Sequence, residues 1–328
     1  MVTFFVMPHS IPFSKLIETE WADDVFIEGG ILSRGEKFLL GAESKAGKST
    51  LLLDFIRSLS QGKPFLGFKI PKPLKVLYIQ AELKEGRLKQ RVLPSFGKEV
   101  KGMSNAFVWS TKGKIYLPAH YKDVRQEVEE VKPDVTIFDP SISFHRYDEN
   151  SSQQMTDFFR QLDHIVDDYQ VSMGLAQHFR KSTQDSKKYG SLLEMIRGTS
   201  AFRGWPDTTI VMEGRTETEY RKLEFETRNS DETIHRYIQY NKDTKLFDWY
   251  NPLQIIGEWA SKYIQEAELK KVKVNSTMFI KDMLVENGAL LSHNKQKAQE
   301  MKNALMQTKQ ISERVEGKFR LIFLPEEN

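Results

Sequence analysis

Residues 42–50 (Ala-Glu-Ser-Lys-Ala-Gly-Lys-Ser-Thr) have the spacing of a phosphate-binding loop. The backbone N–H groups of such a loop, and of the helix after it, point at phosphates where the helix dipole favours negative charge. Gly47 allows close approach of the backbone, Lys48 reaches the β- and γ-phosphates, and the Ser49 hydroxyl coordinates Mg²⁺. Ala42 stands where such loops usually begin with glycine. The predicted nucleotide-binding residues are Ala42, Glu43, Ser44, Lys45, Ala46, Gly47, Lys48, Ser49 and Thr50.

Two carboxylates further along the chain could complete this site. Asp139 ends the apolar run 135–139, where a second Mg²⁺ ligand is expected at the end of a buried strand. Glu82 comes just after the run 76–80 and could orient and deprotonate the attacking water. The structural alternatives are an aspartate at a strand-to-turn boundary and a glutamate that caps the next helix. With a phosphate loop upstream, we favour the catalytic roles.

Gln177 and His178 end a fourth apolar run, residues 171–177. Polar side chains at this position could contact the γ-phosphate and respond to its loss by moving the loop that follows. A lone histidine at a strand end can equally satisfy backbone groups. We assign the sensor role to the pair rather than to either residue.

The runs that carry these residues alternate with helical patterns. Residues 37–40 form an apolar run that enters the phosphate loop, and amphipathic spacing over 48–59 predicts the helix after it. A chance Gly-Lys-Ser in a loop would lack this context. The later β-rich runs are 76–80, 135–139, 171–177 and 208–212, and the helical patterns between them are 84–93, 122–131 and 153–169. This order predicts an α/β fold with a central, mostly parallel sheet covered on both faces.

The sequence changes character after Tyr250, which predicts an ATPase domain over residues 1–250 and a small, mainly helical module over 251–328. The helical patterns of the module are 253–269, 276–287 and 295–309, followed by a strand-like run at 318–324. This order suits a winged-helix-like module. The alternative is a helical extension that packs on the ATPase core or on a neighbouring subunit. Lys297, Lys302 and Lys309 make 295–309 the candidate recognition helix.

Composition narrows the class of protein only broadly. The 328 residues include 48 basic and 45 acidic side chains, and this net charge of +3 is too balanced to indicate nucleic acid binding by itself. The absence of cysteine excludes disulfides and thiolate metal sites and fits a reducing compartment. The N-terminal stretch lacks the basic region of a signal peptide, and no apolar run approaches the length of a membrane span. We therefore expect a cytoplasmic protein without a membrane segment.

As an ordered set, the motifs resemble RecA-like ATPases of the RepA type, which are hexameric helicases of plasmids, phages and related mobile elements. The resemblance covers residues 26–229. The segments that carry it are 35–42, 62–67, 76–82, 139–140, 177–181, 197–201 and Asp207. It implies a RecA-like P-loop core, ATP and Mg²⁺ at the site, and a homo-hexameric ring. RadA-type recombinases and regulatory ATPases share much of this core.

The resemblance also implies that an arginine of the neighbouring subunit completes the site and stabilises transition-state charge. Residues 225–229 (Phe-Glu-Thr-Arg-Asn) are similar to the stretch that carries this arginine in replicative helicases, which assigns the role to Arg228. The family often has a lysine two positions earlier, where Glu226 stands in this chain. Arg203 and Arg215 are the runners-up, and a surface residue at a strand edge is the structural alternative for Arg228.

Two loops are candidates for contact with single-stranded DNA in a central channel. The loop after Asp139, residues 141–154, and the long basic loop after His178, residues 179–197, could track the phosphates of a single strand. The predicted DNA-binding residues are Arg146, Arg180, Lys181, Lys187, Lys188 and Arg197. A solvated run of charges is the alternative.

Three functions are compatible with these motifs. The first is an ATP-driven, ring-forming helicase or translocase on single-stranded DNA in replication of a mobile genome, with a primase or polymerase as an inferred partner. The second is a recombination mediator or loader that does not unwind DNA. The third is a nucleotide-dependent structural switch that acts on a protein partner.

Overall fold

The computed structural model of the protein describes residues 12–18, 24–43, 45–96, 104–112, 115–179, 200–213, 220–230, 232–287, 291 and 295–325. The helices in these segments are α1 (Phe13–Glu18), α2 (Lys48–Gln61), α3 (Glu85–Phe96), α4 (Tyr121–Val131), α5 (Ser152–Tyr169), α6 (Ser200–Gly204), α7 (Pro252–Leu269), α8 (Ser276–Asn287) and α9 (Lys295–Gln307). The strands are β1 (Val25–Ile27), β2 (Leu32–Ser33), β3 (Lys37–Glu43), β4 (Val76–Gln80), β5 (Ala106–Ser110), β6 (Val135–Asp139), β7 (Ser172–Phe179), β8 (Thr208–Met212), β9 (Tyr220–Thr227), β10 (Ile234–Tyr240), β11 (Phe247–Tyr250), β12 (Ser312–Glu316) and β13 (Phe319–Phe323). In the part of the chain so described, no helix is long and apolar enough to cross a membrane.

Nine of these strands form one mixed sheet in the order β11-β10-β9-β8-β3-β7-β6-β4-β5. Neighbouring strands from β8 to β5 run parallel. Beyond β8, the strands β9, β10 and β11 extend the sheet in antiparallel pairs. The predicted α/β fold with a mostly parallel central sheet is therefore confirmed. The strands β5, β9, β10 and β11 were not predicted.

The sheet separates two hydrophobic cores, because successive side chains of a strand point to opposite faces. On β3, Phe38 and Leu40 pack with helix α2 on one face, whereas Leu39 packs with α4 and α5 on the other. Every residue of β4 and of β6 is buried, as expected for central strands of a parallel sheet covered on both sides. This packing helps to fix the register of each strand relative to its neighbours.

The register of the parallel strands brings their carboxyl ends to one edge of the sheet. Gln80 of β4 lies opposite Asp139 of β6, and Ala42 of β3 lies opposite His178 of β7. The residues that follow these strands, including the phosphate loop after β3, therefore meet at this edge. This is where ligands bind in open α/β sheets.

The last three helices and the hairpin β12–β13 share a third hydrophobic core, which includes Ile256, Phe279 and Leu305. Tyr237 of β10 packs against this core, so the third core contacts the main sheet. Helix α7 begins at Pro252, directly after β11, and the Asn251 side chain caps it by accepting a hydrogen bond from the backbone N–H of Leu253 (2.9 Å). The division into domains at residue 250 stays a prediction.

One lysine of the predicted recognition helix does not face solvent. Lys302 is 4% exposed, and its Nζ donates to Glu313 Oε1 (2.8 Å) and to Ser276 Oγ (2.9 Å). A buried charge needs such partners. The expectation that Lys302 contacts DNA is wrong, because it joins α9 to α8 and β12 inside the module.

We expect Gly174→Ala in β7 to lower the free energy of unfolding by about 1–3 kcal/mol, since overpacking a core costs roughly that much. A Cβ at Gly174 would lie 2.1 Å from Cζ of Phe38, whose ring is buried against Phe55 at 5.3 Å between centroids. Denaturant unfolding measures the change. Gly86→Ala in helix α3, where an added Cβ meets nothing within 4 Å, is the matched control and should not destabilise the protein. Equal stability of the two variants would contradict the packing described.

Candidate nucleotide-binding and hydrolysis site

The phosphate loop connects β3 to α2, and its last glycine has a conformation that side chains disfavour. Gly47 is the N-cap of α2 with φ of 100°, and no side chain caps the helix at this position. A Cβ on Gly47 would lie 2.9 Å from Arg221 Nη1 and 3.0 Å from Phe247 Cζ. Both the backbone angle and the crowding therefore require glycine here. The uncapped N–H groups at the start of α2 fit a bound phosphate.

Lys48, Tyr78 and Asp139 form a buried cluster behind this loop. The Lys48 Nζ is hydrogen-bonded to Asp139 Oδ1, and the two side chains are 2% and 3% exposed. The Tyr78 hydroxyl donates to the other carboxylate oxygen, Oδ2, at 2.7 Å. Burial, together with the Asp139 charge, holds the pKa of Tyr78 well above its usual value, so the hydroxyl keeps the proton that it donates. Both oxygens of Asp139 are thus fixed at the end of β6.

Oxygen ligands for a metal are present beside the loop. Asp139 supplies a carboxylate and Ser49 supplies a hydroxyl in the first turn of α2, and both are the hard oxygen donors that Mg²⁺ prefers. The donor set therefore fits the predicted metal, and these two residues would hold it.

Glu82 and His178 form a second pair at the same edge of the sheet. Glu82 Oε1 lies 3.5 Å from His178 Nε2, and both side chains are partly exposed. The backbone N–H of Ala81 donates to the Asp139 carbonyl (3.0 Å), which ties the segment that carries Glu82 to the end of β6. The hydrogen bond with His178, followed by the nearby charge of Lys48, lowers the pKa of Glu82 against the opposing effect of burial. Glu82 is therefore a deprotonated carboxylate at neutral pH, as a base that activates water must be.

Gln177 and His178 point in opposite directions, as neighbours on a strand do. His178 reaches Glu82, whereas the buried Gln177 reaches the segment after β6. The Ser141 hydroxyl donates to Gln177 Oε1, and Gln177 Nε2 donates to Glu149 Oε1 (2.6 Å). The two residues of the predicted sensor pair thus have different contacts: His178 contacts the Glu82 carboxylate, and Gln177 holds the loop after β6.

The loop held by Gln177 presents Arg146 to solvent. The Arg146 guanidinium lies over the ring of Tyr116, 4.0 Å from its centroid. His145 beside it is buried, and burial lowers its pKa to about 4, so it is neutral at physiological pH. Of the predicted DNA-binding residues, only Arg146 falls within the described segments. Arg180, Lys181, Lys187, Lys188 and Arg197 lie outside them, as do Ser44 of the phosphate loop and the runner-up Arg215.

Arg228 lies at the opposite edge of the sheet from the phosphate loop. Arg228 follows the last residue of β9, Thr227. Because β9 is antiparallel to β8, Thr227 lies opposite Thr208, the first residue of β8. Its Nη1 is 3.1 Å from Asp207 Oδ1, and its side chain is 54% exposed. The length of the strands therefore separates Arg228 from the nucleotide site of its own chain. Arg203 is exposed nearby in α6.

Comparison with known proteins identifies the class. The profile of the AAA domain family matches residues 14–184, more than half of the chain, and the chain therefore belongs to this family. The solved ATPase domain of another protein is similar in structure, with a TM-score of 0.52 and 11% identity over 72% of this chain and 95% of that chain. A DnaB-like replicative helicase, whose solved structure addresses its interactions with primase, has the same TM-score of 0.52 and 11% identity over 72% of this chain and 64% of its own. No curated protein matches the chain.

These similarities confirm the RecA-like P-loop fold that the motifs predicted. Membership of the AAA domain family supports the prediction that the chain is an ATPase. The plasmid or phage context stays a prediction, and so do the roles of the individual site residues.

Three residues at the site were not anticipated from the sequence. Tyr78, Ser141 and Glu149 contact predicted site residues directly. Tyr78 carried a usable signal, because a tyrosine inside a fully buried strand needs a partner for its hydroxyl. Glu149 carried none, since its contact with Gln177 depends on the path of a loop.

We expect His178→Ala to move the acid limb of the pH profile for ATP hydrolysis to higher pH. The hydrogen bond of His178 lowers the pKa of Glu82, and a base is lost as pH falls through its pKa. Without the histidine that pKa rises toward its usual value, so activity is lost at a higher pH. The measurement is kcat/KM for ATP across the acid range. His178→Gln, which retains an amide donor, should shift the limb less, and an unmoved limb in His178→Ala would contradict this account.

Proposed function

We propose that this chain is an ATP-driven motor that assembles into a ring, with a hexamer as the expected form, and translocates along single-stranded DNA as a helicase. Its setting would be replication of a mobile genome in the cytoplasm, with a primase or polymerase as partner. The observation that carries the proposal is the convergence of Lys48, Asp139 and Glu82 at one edge of a RecA-like sheet. Similarity to helicase ATPase domains supports the choice of DNA as the track.

Within one subunit, ATP is held by the loop amides and by Lys48. The Lys48 ammonium, kept close by Asp139 before nucleotide binds, stabilises charge on the β- and γ-phosphates. Ser49 and Asp139 would hold Mg²⁺, which when bound would supply positive charge to the phosphates. Glu82 takes a proton from the attacking water, and His178 keeps the carboxylate ionised.

The neighbouring subunit supplies the remaining positive charge through Arg228. This residue is exposed and distant from its own phosphate loop, as a group that acts on an adjacent subunit must be. Asp207 holds the guanidinium at 3.1 Å, which limits its freedom before assembly.

Gln177 couples the nucleotide site to the DNA-facing loop. Its neighbour His178 contacts Glu82, and its own amide holds Ser141 and Glu149. A shift of the β7 terminus on loss of the γ-phosphate would therefore move the loop that presents Arg146. That movement is the proposed step of translocation.

We expect single-stranded DNA to stimulate steady-state ATP hydrolysis, and we expect Lys48→Ala and Glu82→Gln each to abolish the stimulated rate. Lys48→Ala removes phosphate contacts, whereas Glu82→Gln keeps the size of the side chain and loses only the base. The measurement is the ATPase rate with and without DNA, followed by displacement of a strand from a forked substrate. A rate that ignores DNA would refute the motor, and stimulation without displacement would favour a recombination mediator.

Mixing inactive variants tests the role of Arg228 across subunits. In an equal mixture of Lys48→Ala and Arg228→Ala, about a quarter of the interfaces pair an intact lysine with an intact neighbouring arginine, so activity should partly return. A mixture of Lys48→Ala with Glu82→Gln is the matched control, because both groups act in the same subunit and no interface regains the pair. Absence of recovery in the first mixture would contradict action in trans.

A further inference from the structure

The described parts of residues 252–325 have the order of elements of a winged helix. The order along the chain is α7, a single bridge between Asn275 and Leu321, α8, α9 and the hairpin β12–β13. The backbone N–H of Ile322 also donates to the Val274 carbonyl (2.9 Å), so the segment before α8 adds a third strand position to the hairpin. Helix α9 thus occupies the place of the second helix of a helix-turn-helix, and the hairpin is the wing.

Charge is unevenly distributed within this module. Residues 252–287, which form α7 and α8, contain five basic and five acidic side chains. Residues 295–325, which form α9 and the wing, contain seven basic and three acidic ones, a net charge of +4. The weak positive balance of the whole chain therefore conceals a basic half-module, and such clustering is what attracts a polyanion.

The solvent-facing side of α9 carries amides and one glutamate. Ala298, Lys302 and Leu305 are buried, and the opposite side presents Gln296, Glu300, Asn303 and Gln307 to solvent with the half-buried Gln299 beside them. Gln299 Nε2 donates to Asn303 Oδ1 at 3.1 Å. Asparagine and glutamine can pair with the major-groove edge of adenine through two hydrogen bonds.

The wing presents cations and an aromatic ring. Gly317 and Lys318 form its turn, since Glu316 pairs with Phe319 across the hairpin. Arg314 and Arg320 pair with glutamates at 3.1 and 3.2 Å, yet they remain 66% and 68% exposed. Phe319 is 62% exposed beside them. Basic residues with an exposed apolar side chain suit contact with the backbone and minor groove of a duplex.

We propose that this module is a second DNA site, distinct from the channel of the motor, and that it docks on duplex DNA. Helix α9 enters the major groove with Gln299, Asn303 and Gln307 toward the bases, and the wing contacts the flanking backbone through Lys318 and Arg320. A convex helix with amides suits a groove, whereas a site for single strands would need a row of stacking aromatics. The inference stands apart from the proposed motor, because the module can bind duplex whether or not the ATP site drives movement.

The test measures binding of the full chain to a blunt, fluorescently labelled duplex of about 20 base pairs without nucleotide, over a range of salt. Lys318→Glu should weaken binding about tenfold and reduce the slope of log affinity against log salt by about one or more, since it removes a phosphate contact. Lys262→Glu, the same change on the neutral half of the module, is the control and should bind as the unaltered chain does. ATP hydrolysis stimulated by single-stranded DNA should stay unchanged in both variants.

A second variant separates base contacts from charge. Selection from random duplexes should yield a preferred site, and the double change Asn303→Ala with Gln307→Ala should relax that preference while the salt slope stays the same. The proposal is overturned if the unaltered chain fails to bind duplex at low salt, or if Lys318→Glu binds as tightly as Lys262→Glu. Absence of any preferred site would overturn the role of the amides. If the unaltered chain binds duplex but shows no ATP hydrolysis stimulated by single-stranded DNA, the proposed motor is refuted and this inference stands.

Discussion

The buried contact between Lys48 and Asp139 is the constraint on which the site depends. It joins the start of α2 to the end of β6, and Tyr78 adds the middle of β4. Loss of either charged partner would leave the other buried and uncompensated, which costs roughly 3–5 kcal/mol. The site therefore forms only when β3, β4 and β6 have their correct places in the sheet, so that the fold and the catalytic arrangement are specified together.

The alternation of side chains along β7 extends this arrangement in two directions. His178 acts on Glu82 within the nucleotide site, and Gln177 acts on the loop after β6. One strand end thus contacts both the proposed hydrolysis site and a surface loop, without any long chain of contacts between them. Because Gln177 is buried and hydrogen-bonded on both sides of its amide, a small displacement of β7 has to be transmitted to Ser141 and Glu149.

The sequence was informative wherever burial was uniform. The strands β3, β4, β6, β7 and β8 are apolar runs that the sheet covers on both faces, and such runs are readily recognised. The missed strands differ for physical reasons: β5 is an edge strand with Phe107 and Val108 exposed, and β9 and β10 mix charged or polar residues with apolar ones. Lys48 could be predicted because the phosphate loop has a fixed spacing, and Asp139 and Glu82 because each stands at or just after the end of an apolar run, whereas the position of Glu149 depends on tertiary contacts alone.

The two buried lysines of the described chain, Lys48 and Lys302, show why a pattern of charge does not by itself define a ligand site. Each pairs with a carboxylate in the interior. Lys302 joins three elements of its module, and its ammonium is bonded to Ser276 and Glu313 inside the fold. Lys48 stands at an uncapped helix N-terminus, next to a glycine with a left-handed backbone angle, and its partner is the carboxylate proposed to hold the metal. The difference lies in the surrounding donors, which leave the Lys302 pair a structural contact and make the Lys48 pair the proposed place for phosphate.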